Sequence, residues 1–280
     1  MRYRTALPLV ALGTEFARRR GVPALFVAPP SRRQGTACQE PANFLAWESA
    51  GHSGRTHPVP HSTSESVDDY LKAILELGGT ESGQVATRRL AERLGVRTPS
   101  VTEMLQKLAA QRPALVLYEK HRGVRLSAAG KRRAWELIRH HRLLELFLHD
   151  VLKYSWDEVH EEAERLEHFI SERFEDRVAA MLGDPARDPH GHAIPEKHES
   201  GVFGDDAALA SWPVHQPAAV ASVSDRDAAA LRELKRLGVR PGTQLVIEER
   251  NGARSLLVRI GGAALPVRLG RELAEAVFVK

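Results

Sequence analysis

Leu90-Ala-Glu-Arg-Leu-Gly-Val-Arg-Thr-Pro-Ser-Val-Thr102 carries the punctuation of a helix-turn-helix. Leu90 and Leu94 share an apolar helical face, Gly95 stops that helix, and Thr98-Pro99 opens the next, proline being suited to a first helical turn. The spacing predicts a supporting helix over Ala86–Leu94 and a recognition helix over Thr98–Ala110. Upstream, Val67, Tyr70, Leu71, Ile74 and Leu77 recur at helical spacing, with Ser66 expected as N-cap and Gly78-Gly79 as the stop. Downstream, Val116–Glu119 and Val124–Ser127 are short β-prone pieces flanking Lys120-His-Arg-Gly123, which reads as a hairpin. Helix, helix-turn-helix, hairpin is the order of a winged helix-turn-helix, here over residues 65–135.

Such a module reads double-stranded DNA. Arg97, Thr98, Pro99, Ser100, Thr102 and Glu103 fall at the start of the recognition helix. Small hydroxyls there can approach phosphates and pack against thymine methyls. Gln106, Lys107 and the wing residues Lys120 and Arg122 are placed to meet backbone phosphates. Leu90, Leu94, Val101, Leu105 and Leu108 are expected as core and have no part in recognition.

The remainder fits a multidomain chain. Its 280 residues leave room for two or three domains, and 42% hydrophobic content is that of a soluble globular protein. A net charge of only +4 hides a strong asymmetry. Residues 97–142 are rich in Lys and Arg, whereas 157–176 are dense in Asp and Glu, so one part suits a polyanion and another suits cations. Cys38 is the single cysteine, which excludes an intramolecular disulfide and a cysteine-rich zinc site. No apolar run is long enough for a membrane span, and Ala6–Leu12 is too short and too closely followed by charge for a signal peptide. A cytoplasmic location is expected. Residues 1–64, with Pro29-Pro30, Arg32-Arg33 and little periodicity, read as a flexible extension.

After the wing, a helix is expected over Ala128–His149, carrying Trp135, Ile138, Leu144 and Phe147, then a single long helix over Trp156–Met181. These form a helical domain over 136–205, and 206–217 reads as a linker. From 218 to 280 a helix at Asp225–Leu237 precedes four strand-like pieces, Gln244–Glu249, Ser255–Ile260, Ala264–Leu269 and Ala276–Val279. Short strands with glycine turns point to a small β-barrel. The fold class is mainly α with small β elements.

The long helix carries His160-Glu-Glu-Ala-Glu-Arg-Leu-Glu-His168. At 3.6 residues per turn, His160, Glu164, Glu167 and His168 fall within roughly 100° of one face. Ala163, Leu166, Phe169 and Ile170 form the opposite apolar stripe. No lysine lies on the polar face to relieve the carboxylates, so it is either a solvated surface or a site for a divalent cation. The preceding helix adds His141 and Glu145 as an i, i+4 pair, and Asp69 lies in the first turn of the first helix, where acids also favour the macrodipole. Two enzymatic motifs fail here. Glu164 replaces the second histidine of a zincin helix, and Arg165 replaces the glutamate of a di-iron Glu-x-x-His element.

Ser66-Val-Asp-Asp-Tyr-Leu-Lys72, Leu90–Val96, Pro99–Thr102, His140-His-Arg-Leu-Leu-Glu145, Val159–Glu164, Leu166-Glu-His168 and Arg187–Pro195 together resemble the diphtheria toxin repressor family of metal-dependent transcriptional regulators. The segment around Leu237-Gly-Val-Arg-Pro-Gly242 looks like that family's SH3-like (FeoA-like) third domain. The resemblance implies a primary metal site at Asp69, Glu164, Glu167 and His168, and an ancillary site at His141, Glu145 and His160. Iron-responsive members carry methionine and cysteine at the positions of Asp69 and Glu164. Two oxygen donors in their place favour the manganese-responsive branch, with Fe(II) as the alternative. Lys72 departs from those manganese regulators that have a glutamate there.

The implied function is a homodimeric, Mn(II)-activated regulator of metal-homeostasis genes, bound to a palindromic operator. Metal would tie the first helix to the acidic helix, while in its absence the carboxylates would oppose close approach. A metalloenzyme would differ in needing an open, substrate-sized pocket at the metal.

Overall fold

Helix α1 (Thr63–Gly78) opens the described part of the computed structural model, which comprises residues 63–78, 83–198, 201, 203–204 and 206–280. The extension read over 1–64 therefore lies, up to residue 62, outside the described residues. Order begins earlier than the Ser66 cap implies, because Ser66 is already helical and Glu65 occupies the favourable first turn. Helix α2 (Thr87–Leu94) ends at Gly95, and α3 (Thr98–Ala110) starts with Pro99 in its first turn. Val85 is not helical. It bridges Val124 in the wing formed by β1 (Val116–Glu119) and β2 (Gly123–Leu126), an antiparallel pair. Gly123, at φ 116°, lets this bridge form, since a Cβ there would stand 2.4 Å from the Val85 carbonyl oxygen.

The core of this module is Leu71, Ile74, Leu90, Val101, Leu105, Leu108 and Val124, all buried, with Leu94 packed against it. Each leucine so buried contributes about 1.5–3 kcal/mol relative to exposure. Ser127 ends the wing rather than extending it. Its hydroxyl accepts from Gly130 N and caps α4 (Ala128–Asp150).

The single long helix expected over Trp156–Met181 is instead two. Helix α5 (Val159–Leu166) and helix α6 (Glu172–Leu182) are separated by a turn, and Ser171 caps α6 by accepting from Phe174 N. The apolar stripe divides accordingly. Ala163 is buried, but Leu166 and Phe169 are exposed. Trp156 also lies before the helix and joins the core of the next module, stacking on His190 at 5.4 Å.

The C-terminal module is a six-stranded antiparallel sheet in the order β3-β8-β4-β5-β6-β7. Its strands are β3 (Ala207–Ala208), β4 (Pro217–Val223), β5 (Gln244–Asn251), β6 (Ser255–Ile260), β7 (Val267–Gly270) and β8 (Val277–Val279), with α7 (Ala228–Arg236) and α8 (Arg271–Glu275) between them. Residues 206–217, read as a linker, supply β3 and place Leu209 in this core. The helix expected from Asp225 starts at Ala228 because Asp227 caps it, accepting from Ala229 N and Ala230 N.

The loop 187–195 pins this module to the helices. His190 O accepts from Val223 N at 2.9 Å. Gly191, at φ 94°, runs against β4 so closely that a Cβ would meet the Ala221 carbonyl oxygen at 2.3 Å. Asp225 is thereby brought beside α4 and α5.

Candidate metal centre

Three helices converge on the acidic stretch. α1 presents Asp68, Asp69 and Lys72, α4 presents His140, His141 and Glu145, and α5 with its following turn presents His160, Glu164, Glu167 and His168. Glu167 and His168 lie just beyond α5, yet Glu167 keeps helical dihedrals, so its side chain stays on the inward face and is fully buried.

The sequence reading missed the central feature. Lys72 Nζ donates to Glu164 Oε1 at 2.8 Å and to both Glu167 oxygens at 2.9 Å. The lysine absent from the acidic face arrives from α1. Burial opposes its charge, but Glu167 and Glu164 outweigh that and raise its pKa above the ordinary lysine value. Burial likewise opposes the Glu164 charge, and the Lys72 and His141 charges reverse the balance to a pKa of about 2.

On one side of Lys72, His168 Nε2 is 3.4 Å from Asp69 Oδ1 and 3.9 Å from Glu167 Oε1, and its Nδ1 is 3.6 Å from Asp68 Oδ2. Burial resists protonation, but Asp68 and Asp69 raise this imidazole to about 10. Asp68 also accepts from Arg133 Nε at 2.6 Å, so it is an orienting neighbour as much as a ligand candidate. The four primary-site residues are thus neighbours. Among the described residues, however, the tight set around Lys72 is His141, Glu164 and Glu167, whose donor atoms lie within 4.8 Å of one another.

On the other side lies a second cluster. His141, Glu145, His160 and Asp225 each offer one ligand atom within a 4.8 Å span. His141 Nε2 is 3.2 Å from Glu145 Oε1 and 3.1 Å from His160 Nδ1, while its Nδ1 is 2.5 Å from Glu167 Oε2. One imidazole therefore belongs to both clusters. Burial and Lys72 resist its protonation, yet Glu145 and Glu167 raise its pKa well above the ordinary histidine value. Asp225 Oδ2 completes the set, 3.6 Å from His160 Nδ1 and 3.7 Å from His192 Nδ1. The family resemblance places third-domain ligands near Ser222 and Asp225 without fixing either, and the structure brings Asp225 to this cluster. His190 was also missed, although Asp188-Pro-His-Gly-His192 is a conspicuous run. Its Nδ1 is 3.5 Å from Glu145 Oε2.

The residues fit a divalent cation. Glu145 Oε2, His168 Nδ1 and His190 Nδ1 are buried without a hydrogen-bond partner, and such atoms are rare unless an ion or proton answers them. Carboxylate oxygen and imidazole nitrogen together suit first-row divalent metals.

A cleft of about 570 Å³ adjoins both clusters, lined among others by Lys72, His141, His160, Glu164, His192 and Asp225. It falls in the range of small-molecule pockets, so pocket size does not separate a regulator from an enzyme.

At the DNA-reading end, Arg97, Thr98, Pro99, Ser100, Glu103, Gln106, Lys107, Lys120 and Arg122 are exposed. Thr102 is half-buried, and its hydroxyl donates to Thr98 O at 3.1 Å. Lys107 pairs with Glu103 at 2.8 Å and Arg122 with Glu119 at 3.1 Å, surface pairs that cost little to exchange for phosphate.

Three family models cover this architecture in order. They are the iron dependent repressor N-terminal DNA binding domain over residues 62–124, the iron dependent repressor metal binding and dimerisation domain over 127–196, and the FeoA domain over 208–280. The chain is 33% identical over 229 residues to the iron-dependent repressor IdeR of Mycobacterium tuberculosis, covering 77% of this chain and 97% of that one. Among solved structures, a manganese-dependent transcriptional repressor in complex with manganese shares 37% identity at a TM-score of 0.69, over 76% of this chain and 98% of that one. ScaR with bound zinc shares 31% at a TM-score of 0.65, over 76% and 98%.

Proposed function

Given that the chain belongs to the iron-dependent repressor family of metal-dependent transcriptional repressors, we propose that it is a Mn(II)-responsive regulator of metal-homeostasis genes, acting in the cytoplasm as a homodimer on a palindromic operator. The observation that carries the choice of metal is the donor set. Asp69 and Glu164 offer oxygen beside Glu167 and His168, with no sulfur ligand among them, and hard oxygen donors suit manganese. The similarity to a manganese-dependent repressor supports the same choice. Similarity to IdeR supports the second reading, an Fe(II)-responsive regulator with the same ligands.

Asp69, Glu164, Glu167 and His168 would hold the activating ion, and His141, Glu145, His160 and Asp225 an ancillary one. A bound divalent cation would supply counter-charge linking the DNA-binding helix α1 to the turn after α5. Asp68 orients His168, and Glu145 holds His141 and His160 in place. The recognition helix presents Arg97, Thr98, Pro99, Ser100, Thr102 and Glu103 to the major groove, while Gln106, Lys107 and, from the wing, Lys120 and Arg122 meet phosphate. Two copies would set two such helices one turn of DNA apart.

Exposed apolar side chains support the dimer. Phe169 is 70% exposed, Met181 66% and Leu152 52%, with Val151, Tyr154, Leu166 and Phe174 also outward. They lie within the segment matched by the metal binding and dimerisation domain. All seven fall between residues 151 and 181, a concentration of exposed apolar side chains that suits an interaction surface. Among the described residues, no helix is long and apolar enough to cross a membrane.

The test is operator binding, using a duplex selected from random DNA by the Mn(II)-loaded protein. Anisotropy titrations with Mn(II), Fe(II), Zn(II) and chelator should give tightest binding with Mn(II) and a steep fall with salt. Equal binding with and without chelator would sink the regulatory reading, and a preference for Fe(II) would replace manganese by iron.

A further inference from the structure

The primary cluster contains a cation of its own. Lys72 is 7% exposed, and its three hydrogen bonds, to Glu164 Oε1 and both Glu167 oxygens, use all three donors of an ammonium. Those three oxygens belong to two of the three carboxylates, Glu164 and Glu167, assigned above to the activating metal. His141 Nδ1 stands a further 3.3 Å from the same nitrogen. An ammonium and a divalent ion cannot share this position, because they repel and need the same oxygens.

We propose that Lys72 is an internal competitor for the primary metal site: its ammonium stands in for a divalent ion in the metal-free chain and must release Glu164 and Glu167 before both can coordinate metal. The proposal rests on the metal-dependent reading above. It changes what the metal-free state is. The carboxylates of the acidic face do not simply repel α1, since α1 already neutralises them through Lys72. Metal must therefore displace a bound cation, which raises the concentration at which the site loads. The cleft supplies the exit. Lys72 and Glu164 both line it, so the four-carbon stem can swing the ammonium into solvent without unfolding α1.

The experiment has two arms on the full chain. In the first, isothermal titration with Mn(II) compares the chelator-stripped wild type with Lys72→Met, which keeps the stem and removes the charge. The variant should bind Mn(II) at the primary site at least about tenfold more tightly, and its metal-free form should melt at a lower temperature. Equal or weaker Mn(II) affinity in the variant overturns the proposal. The second arm needs no variant. Lys72 of the wild type is labelled with an acetylating reagent and quantified by peptide mass spectrometry. It should be protected in chelator and become reactive on adding Mn(II). Labelling that is unchanged or reduced by Mn(II) overturns the proposal even if Lys72→Met fails to fold. The two readings fail differently. If the wild type takes up no Mn(II), the functional assignment fails, whereas Mn(II) uptake with Lys72 still protected defeats only the competitor.

Discussion

Two clusters share His141 and differ in where their positive charge comes from. The one facing α1 is neutralised by Lys72, an ammonium with three short hydrogen bonds to carboxylates. The one facing the C-terminal module has imidazoles around Glu145 and Asp225, at separations of 3.2–3.7 Å, and leaves Glu145 Oε2 without a hydrogen bond, 3.5 Å from His190 Nδ1. The first is therefore an ion-pair network closed around Lys72 and costly to open, although His168 Nδ1 at its edge has no hydrogen-bond partner. The second is held by longer hydrogen bonds of 3.1–3.3 Å among His141, Glu145 and His160, with Asp225 at 3.6 Å. Completeness and metal readiness run in opposite directions. The cluster best placed to lock the DNA module is the one that has to be emptied of a cation first. The ancillary cluster holds no side-chain ammonium, so metal has only imidazole protons to displace there, and it should load at lower metal concentration.

The sharpest way to break this comparison is to delete one cluster at a time. Glu167→Ala or His168→Ala should abolish the Mn(II) response, lowering metal-loaded operator affinity by about 100-fold, near the upper end of typical allosteric coupling. Asp225→Asn should cost about fivefold to tenfold, because it removes one ancillary ligand and leaves the link between α1 and α5 intact. Operator anisotropy at saturating Mn(II) measures both. If Asp225→Asn proves as damaging as Glu167→Ala, the two clusters form one site, with His141 as its centre.

A smaller effect tests whether the DNA face is independent of both. Lys120→Ala and Arg122→Ala should each reduce the slope of log affinity against log salt by about 0.9, one phosphate contact apiece. The reduction should be equal in Mn(II) and in chelator, since neither residue approaches the metal clusters. A change confined to the Mn(II)-loaded state would mean that metal controls how the wing is placed.

Periodicity and punctuation made the DNA module legible. Leu90, Gly95, Thr98 and Pro99 fix the helix-turn-helix, because local signals decide local structure. The candidate ligands His160, Glu164, Glu167 and His168 were legible for the same reason, as helical spacing aligns them even though α5 ends at Leu166. Lys72 was not. It sits 92 residues from Glu164 in sequence, and its meaning depends on how α1 packs across α5. Asp225 was legible only loosely, since its place depends on how the loop carrying Gly191 and the Trp156 side chain bring the C-terminal module against the helices. The break between α5 and α6 had a signal that was passed over. Ser171 followed by Glu172 is a helix start, and the exposed Phe169 belongs to a turn at a surface, not to a helical core stripe.

The smallest expected effect lies outside both clusters, where α6 packs against α4. The Glu175 side chain is 1% exposed, with Oε1 accepting from Arg139 Nε and Oε2 3.2 Å from His140 Nε2. Burial would raise its pKa, but His140 and Arg139 bring it from 4.5 down to about 2. A carboxylate depressed in the folded state stabilises fully above its unfolded pKa, and that contribution disappears as pH falls through the folded value. For Glu175 the window runs from 4.5 down to about 2. Glu175→Gln should melt at a lower temperature than the wild type near neutrality, by a few degrees for a chain of this size. The gap should narrow across that window, because the wild type loses on protonation what the variant already lacks. Melting curves of the two proteins in chelator measure it, and parallel acid profiles would show that Glu175 contributes by shape and not by charge. Adding Mn(II) should shift both curves together at neutral pH. Neither Arg139 nor Glu175 belongs to a ligand set, so a metal-dependent change in the gap would extend the clasp through His140, whose Nδ1 lies 3.3 Å from Glu167 O, and join the far side of α4 to the primary cluster.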